Sequence, residues 1–300
     1  MPTPIEAIMV PTLMMCFGYV LKRKSFFKKS DRELLASIVF YITLPSMIFI
    51  NMSKASISQD MLFLPILSFT TSLILIVISY IYCKIRNYSK KTTWAIIIAS
   101  SIMNTGFIGF PVCLGVFGNE GFINAVFFDM ATTAMVVIYG VILAKEFGGD
   151  GKAVVKKIIT FIPLWAVVFA LIFNVFSVPL PYVADQILNY LGQATIPLIM
   201  FCLGISLEFG NIGQNICDSI VVSVIKLVFA PAIIFVLLSL FNIKGMAFNV
   251  GVLEAGMSTA MNALVLSGIY GLDEDFMASL IFTNVILSIF SLTVIISFLV

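Results

Sequence analysis

The sequence predicts an all-α integral membrane protein: ten transmembrane helices in two inverted five-helix repeats, with helices 4 and 9 broken. Three observations carry this prediction. Of the 300 residues, 61% are hydrophobic and only 11% are charged, against about 45–50% and about 25% in soluble proteins. Mean hydropathy is +1.12, too high for the chain to cover a water-facing surface with polar groups. Apolar runs of about 20 residues, the length that crosses a bilayer, recur from end to end with short connections. Finally, the prolines repeat in register: Pro11 and Pro163 lie 152 residues apart, and so do Pro45 and Pro197.

The runs fall at roughly 4–21, 34–52, 61–83, 93–117, 122–144, 158–177, 186–207, 219–241, 247–270 and 276–300. The first is not a cleaved signal, because its positive residues (Lys22, Arg23, Lys24) follow the apolar stretch instead of preceding it. Positive residues stay on the cytoplasmic side. With the N-terminus outside, 14 of the 17 Lys and Arg residues lie in inner loops and only Lys54 and Lys244 in outer ones. Both termini of this multi-pass chain are therefore expected outside the cell membrane.

The repeat divides the chain into residues 1–147, a cytoplasmic linker 148–157, and residues 158–300. Leu44-Pro45-Ser46-Met47-Ile48-Phe49 answers Ile196-Pro197-Leu198-Ile199-Met200-Phe201. Met103-Asn104-Thr105-Gly106 answers Met257-Ser258-Thr259-Ala260, and Phe117-Gly118 answers Tyr270-Gly271. Five spans per half is an odd number, so the second half must be inverted. Inverted repeats mark secondary transporters, whose site lies between the halves near the membrane midplane.

The fourth run carries Gly106, Gly109 and Pro111 within six residues, which predicts an unwound middle. Its partner, Leu253 to Asn262, is polar and contains Gly256. Half-helix N-termini offer free N–H groups to an anion, and Asn104, Thr105, Ser258, Thr259 and Asn262 would add neutral hydrogen bonds. Ionisable residues inside spans are costly and point to function. Asp129 is a candidate proton or cation site. Glu254 is either a second coupling residue or an outer-interface carboxylate. Lys226 either partners a charge or snorkels to the cytoplasmic interface. Pro11, Pro45, Pro163 and Pro197 are candidate hinges.

Other chemistries are disfavoured. There is no histidine, so no His-based catalysis or metal site is expected. The five cysteines show no C-x-x-C spacing and read as small buried hydrophobes. Gly148-Gly149-Asp150-Gly151-Lys152 lacks the spacing of a phosphate loop. Gly256-Met257-Ser258-Thr259-Ala260 falls short of a nucleophile elbow. No catalytic residue, metal ligand, cofactor or nucleic-acid contact is expected. The partners expected are the lipid bilayer and a small organic anion, with H+ or Na+ as the coupling ion.

Asn104-Thr105-Gly106-Phe107-Ile108-Gly109-Phe110-Pro111 with Phe117-Gly118 resembles the fourth-helix motif of the auxin efflux carrier family. So do Gly192-Gln193-Ala194-Thr195-Ile196-Pro197-Leu198 with Leu203-Gly204, and Lys226-Leu227-Val228 with Pro231. The resemblance covers the whole chain. It implies crossing broken helices 4 and 9, a scaffold of helices 1, 2, 6 and 7 used for homodimer contacts, and organic-anion substrates. Microbial members are described as malate or malonate carriers, and plant members export auxin. Asn104 and Pro111 match the first crossover and Asn262 the second, whereas Ser258 replaces the family's usual proline. The long cytoplasmic loop of plant exporters is absent. The expected activity is therefore secondary transport of a small carboxylate by alternating access. Sodium-coupled symport of the bile-acid type and ligand sensing in the membrane are the alternatives.

Overall fold

A computed structural model describes residues 4–27, 29–148, 156, 160–206 and 216–300. All regular structure among them is helical. The helices are α1 (Pro4–Arg23), α2 (Lys29–Ile38), α3 (Leu44–Met52), α4 (Gln59–Arg86), α5 (Lys90–Ser101) and α6 (Phe110–Phe147). After the linker, most of which lies outside the described residues, come α7 (Ile162–Val175), α8 (Tyr182–Gln193), α9 (Thr195–Ser206) and α10 (Ile216–Val224). The last four are α11 (Ala230–Leu240), α12 (Gly245–Ala255), α13 (Asn262–Tyr270) and α14 (Glu274–Leu299).

Local chemistry sets the ends. The Ser58 hydroxyl accepts from Met61 N at 3.4 Å, Ser89 from Thr92 N at 3.2 Å, and the Asp273 carboxylate from Phe276 N at 3.2 Å. Asn87 and Gly271 close α4 and α13 in the left-handed conformation. Gly118, at φ +66°, bends α6 where one expected span should give way to the next.

Six helical stretches among the described residues are long and apolar enough to cross a membrane on their own: Asp31–Met52, Gln59–Arg86, Thr105–Phe147, Tyr182–Ser206, Ile216–Leu240 and Glu274–Leu299. The ten apolar runs do not map one to one onto them. The fourth and ninth runs are cut by breaks, and the fourth also merges with the fifth across Gly118.

Among the described residues, three wide turns with i→i+5 bonding, which are common at functional sites, interrupt the helices at Val39–Thr43, Thr105–Gly109 and Ile225–Phe229. Each runs directly into the next helix, and Pro45, Pro111 and Pro231 sit in the first turns that follow, where their missing N–H is tolerated. Pro163 likewise starts α7. This candidate hinge thus stands at a helix start. Pro11 lies inside an unbroken α1, and Pro197 follows the short break at Ala194.

The helices form two packed groups. One comprises α1, α2–α3 and α7–α9, and the other α4–α6 with α10–α14. In the first group α1 and α9 approach closely through Gly18 and Gly204, and Gly192 lies against the Met47 backbone. The Asn174 amide ties α7 to the end of α3, donating to the carbonyls of Met52, Ser53 and Ala55 at 3.0, 3.2 and 2.7 Å. In the second group Tyr82 and Arg86 on α4 reach Asp218 on α10 at 3.0 and 3.1 Å. Cys83, Cys113 and Cys202 are buried as expected, but Cys16 and Cys217 face outward.

Candidate functional site

The two breaks meet. Between α5 and the wide turn, Ile102 to Asn104 leave helical geometry, Ile102 being extended, and they pair antiparallel with the stretch between α12 and α13 through Met103 and Thr259. Asn104 N donates to Ser258 O at 2.8 Å, and Ala260 N to Ile102 O at 3.2 Å. The Thr259 hydroxyl donates to Ala99 O at 2.7 Å. The Asn104 carbonyl turns back into the following helix and accepts from Ile108 N and Gly109 N at 3.2 and 3.0 Å. Backbone groups freed by the breaks are thus satisfied within protein, the condition for irregular chain at membrane depth. The break itself falls at Ile102–Asn104. Gly106 and Gly109 lie in the wide turn beyond it, not in the unwound stretch the sequence predicted.

A cavity of about 70 Å³ lies beside the crossing. Asn104, Thr105, Gly106, Asn262 and Asp129 line it, as does Pro163. The Thr105 hydroxyl donates to one Asp129 carboxylate oxygen, and the Thr133 hydroxyl to the other at 3.3 Å. The Asn104 side-chain amide nitrogen is buried without a hydrogen-bond partner. It is therefore the donor most available to a bound group. Asp129 is the one ionisable side chain among the cavity's described lining residues, and no Lys or Arg joins it.

Other expected site residues stand elsewhere. Ser258 and Thr259 are fully buried and contribute to the crossing, not to the cavity lining. Pro111 lies in the first turn of α6, also off the cavity. Glu254 is no interface carboxylate. It is 0% exposed at the end of α12, accepts from the Cys113 thiol at 3.2 Å, and leaves its second oxygen unpartnered. A β-carbon on Gly109 would fall 2.2 Å from that oxygen, so the absent side chain at 109 is what admits the carboxyl. Lys226 neither snorkels nor pairs: it is 0% exposed, and its Nζ has no partner among the described residues.

Sequence reasoning missed part of the wall. Thr132 and Thr133 line the cavity beside Asp129. They sit three and four residues after it on the same helix face, a spacing that could have identified them. Phe40, Phe107 and Phe161 form an aromatic flank, with ring centroids 5.5 and 5.8 Å apart on either side of Phe40. They come from three separate elements, and no local pattern links them.

The model of a family described as Membrane transport protein matches residues 4–296. A protein named "Uncharacterized transporter" from Methanothermobacter thermautotrophicus is 34% identical over 96% of this chain and 95% of its own length. Another so named, from Methanocaldococcus jannaschii, is 35% identical over 97% and 96%. A Rhizobium meliloti protein named "Putative malonate transporter" is 23% identical over 96% and 94%.

Proposed function

Because the chain belongs to the Membrane transport protein family, the auxin efflux carrier group its motifs resemble, we propose that it is a secondary transporter carrying a small organic anion by alternating access. The observation that carries this reading is the antiparallel meeting of two helix breaks beside a polar cavity. Two discontinuous helices in corresponding places are the best pointer to a transport site.

Ten spans in two inverted halves account for the pattern of interruptions. The breaks at 102–104 and 256–261, the left-handed glycines 118 and 271, and the kinks before Pro45 and Pro197 recur at offsets of 152 to 154. Both termini then lie outside the cell membrane. The substrate carboxylate docks at Asn104 and the backbone near Gly106 from one half, and at Asn262 from the other. Ser258 and Thr259 hold the crossing in register. Asp129 carries the coupling proton: a carboxylate substrate and an ionised Asp129 repel each other in one cavity, so loading favours the protonated acid. The group containing the crossing moves against the group of α1–α3 and α7–α9, bending at Pro45 and Pro197. The substrate named for the Rhizobium relative, malonate, belongs to the class proposed here.

Sodium-coupled symport is the second reading. The unpartnered, buried oxygen of Glu254 favours it.

The test is uptake of labelled malate, malonate and an indole carboxylate into proteoliposomes under a pH gradient, a sodium gradient or neither. Saturable uptake raised by an inwardly directed proton gradient, acid outside, supports the first reading, and uptake raised by sodium supports the second. If Asn104→Ala leaves the affinity for the transported acid unchanged, the site assignment is wrong. A sensor that binds without moving its ligand would show binding and no uptake.

A further inference from the structure

The polar cavity has a counterpart. A second cavity, of about 30 Å³, lies where α1 and α9 meet α14 and the start of α6 with the wide turn before it. Like the first, it straddles the two packed groups of helices. Its walls stand at the repeat offset from the walls of the polar cavity. Pro11 answers Pro163, and Met200 answers Ile48. Val285 answers Thr133, Ser288 answers Val136, and Ile108 answers Ala260. Each of these pairs is 152 residues apart, the spacing of the proline register. The exchange runs in both directions: first-half residues of one cavity give way to second-half residues in the other, and the converse. Cavities related in this way open toward opposite sides of the membrane when the halves are inverted.

Charge assigns the sides. Pro163 of the polar cavity sits in the first turn of α7, which follows Lys156 and Lys157. Ile8 of the second cavity sits at the end of α1 away from Lys22 and Arg23. By the positive-inside rule the first cavity lies toward the cytoplasm and the second toward the outside. Their chemistry differs as well. The second cavity has no ionisable or amide side chain among its described lining residues. Asp129 has no counterpart, because Ile281 and Phe282 stand 152 and 153 residues on. The Thr12 hydroxyl donates to Ile8 O and the Ser288 hydroxyl to Val285 O, both at 2.7 Å, so each is committed to its own helix. The space would admit about two waters, but a buried water needs several polar partners, and apolar cavities stay dry. Val285 and Ser288 are each 3% exposed, whereas their mates Thr133 and Val136 are half-buried.

We infer that the second cavity is the outer counterpart of the polar one, shut in this structure as an apolar seal, so that the Asp129 cavity is reached from the cytoplasmic side alone. Apolar constrictions exclude ions and water by dewetting. Movement of one helix group against the other changes both cavities at once, since each is walled by both groups. The inference rests on the transport reading for this exchange, and it adds an asymmetry to it. Proton and substrate meet Asp129 from the inside, while none of the described residues lining the outer route can hold a proton.

The test labels repeat mates on the two walls. Val136→Cys and Ser288→Cys are made separately in a chain carrying Cys16→Ser and Cys217→Ser, which removes the exposed native thiols. The purified proteins, in detergent, are treated with sulfonatoethyl methanethiosulfonate, a small anionic thiol reagent that reaches both faces. Labelling is followed by intact mass. With the outward-open form a minor state of about 10% or less, Ser288→Cys should react at least about tenfold more slowly than Val136→Cys. Adding Met200→Gln places an amide in the seal and should speed labelling at Ser288→Cys at least about fivefold, whereas Met200→Leu should not. Equal rates at the two positions, faster reaction at Ser288→Cys, or no reaction at Val136→Cys would overturn the inference, and so would an unchanged rate with Met200→Gln. If Met200→Gln does not fold, the comparison of the two mates decides alone. The labelling needs no substrate. If malate, malonate and indole carboxylate all fail to enter proteoliposomes while the two rates differ as expected, the transport reading is at fault and the pairing of the cavities stands.

Discussion

Gly204→Ala tests how the α1–α9 crossing is built. A β-carbon at 204 would lie 2.1 Å from Met15 O and 3.0 Å from both Met15 C and Tyr19 N. Those are backbone atoms, so no rotamer change relieves the clash. The helices must separate by about 1 Å to restore an ordinary contact, which places the cost near about 3 kcal/mol, the upper end for overpacking. Replacing glycine in a helix returns at most about 1 kcal/mol, leaving a net loss of about 2 kcal/mol. Gly18→Ala is the internal control. Its β-carbon would sit 2.9 Å from Phe201 O and 3.2 Å from Phe201 Cα. The clash is with backbone again but 0.8 Å milder, so overpacking of about 1 kcal/mol, the lower end of its range, is roughly offset by helix propensity. Thermal unfolding in detergent, followed by the fluorescence of Trp94 and Trp165, should show Gly204→Ala melting clearly below wild type and Gly18→Ala close to it. Equal melting temperatures for the two variants would refute the argument from backbone proximity.

Three other substitutions probe single ties. Asn174→Leu removes the donor shared by the carbonyls of Met52, Ser53 and Ala55. A loss of about 1–3 kcal/mol and faster hydrogen exchange at the end of α3 are expected, and unchanged exchange there would count against the tie. Tyr139→Phe deletes the buried contact between the Tyr139 and Ser101 hydroxyls at 2.5 Å and should cost about 1–2 kcal/mol, measurable by denaturant or thermal unfolding. Thr259→Val leaves Ala99 O without its donor inside the crossing and should lower the melting temperature, whereas Thr259→Ser keeps the hydroxyl and should not. If valine instead weakened only substrate affinity, Thr259 would belong to the binding site after all.

Much of this was legible in the sequence because membrane insertion leaves strong one-dimensional marks. The helical class follows from composition. Asn104, Thr105 and Asp129 announced themselves as polar groups inside apolar runs, and they do share one cavity. Ser258 and Thr259 carried the same signal but point elsewhere. Polarity at membrane depth reports that a group needs a partner; it does not say whether the partner is substrate or backbone. Glu254 was ambiguous for a related reason. Its position in the run suggested an interface, but the depth of a side chain depends on where the helix breaks, and the break follows it immediately. The wide turns left no pattern distinct from ordinary helix, and the aromatic flank joins Phe40, Phe107 and Phe161 across elements far apart in sequence.

The crossing explains why so few polar atoms remain for a ligand. Each break frees backbone donors and acceptors that lipid cannot satisfy. Here the two breaks satisfy each other in part, through Asn104 N with Ser258 O and Ala260 N with Ile102 O. Thr259 and the returning Asn104 carbonyl take up further groups. What is left over is side chain: the amide nitrogen of Asn104, a cavity-lining residue, and the hydroxyl of Ser258 and one oxygen of Glu254 buried at or beside the crossing. A site built from such remainders holds its backbone fixed, because the backbone hydrogen bonds do not depend on the ligand. Specificity then rests on the side chains around that frame, and changes at Thr132, Thr133, Phe40 or Phe107 should alter which ligand the cavity takes while leaving the crossing intact.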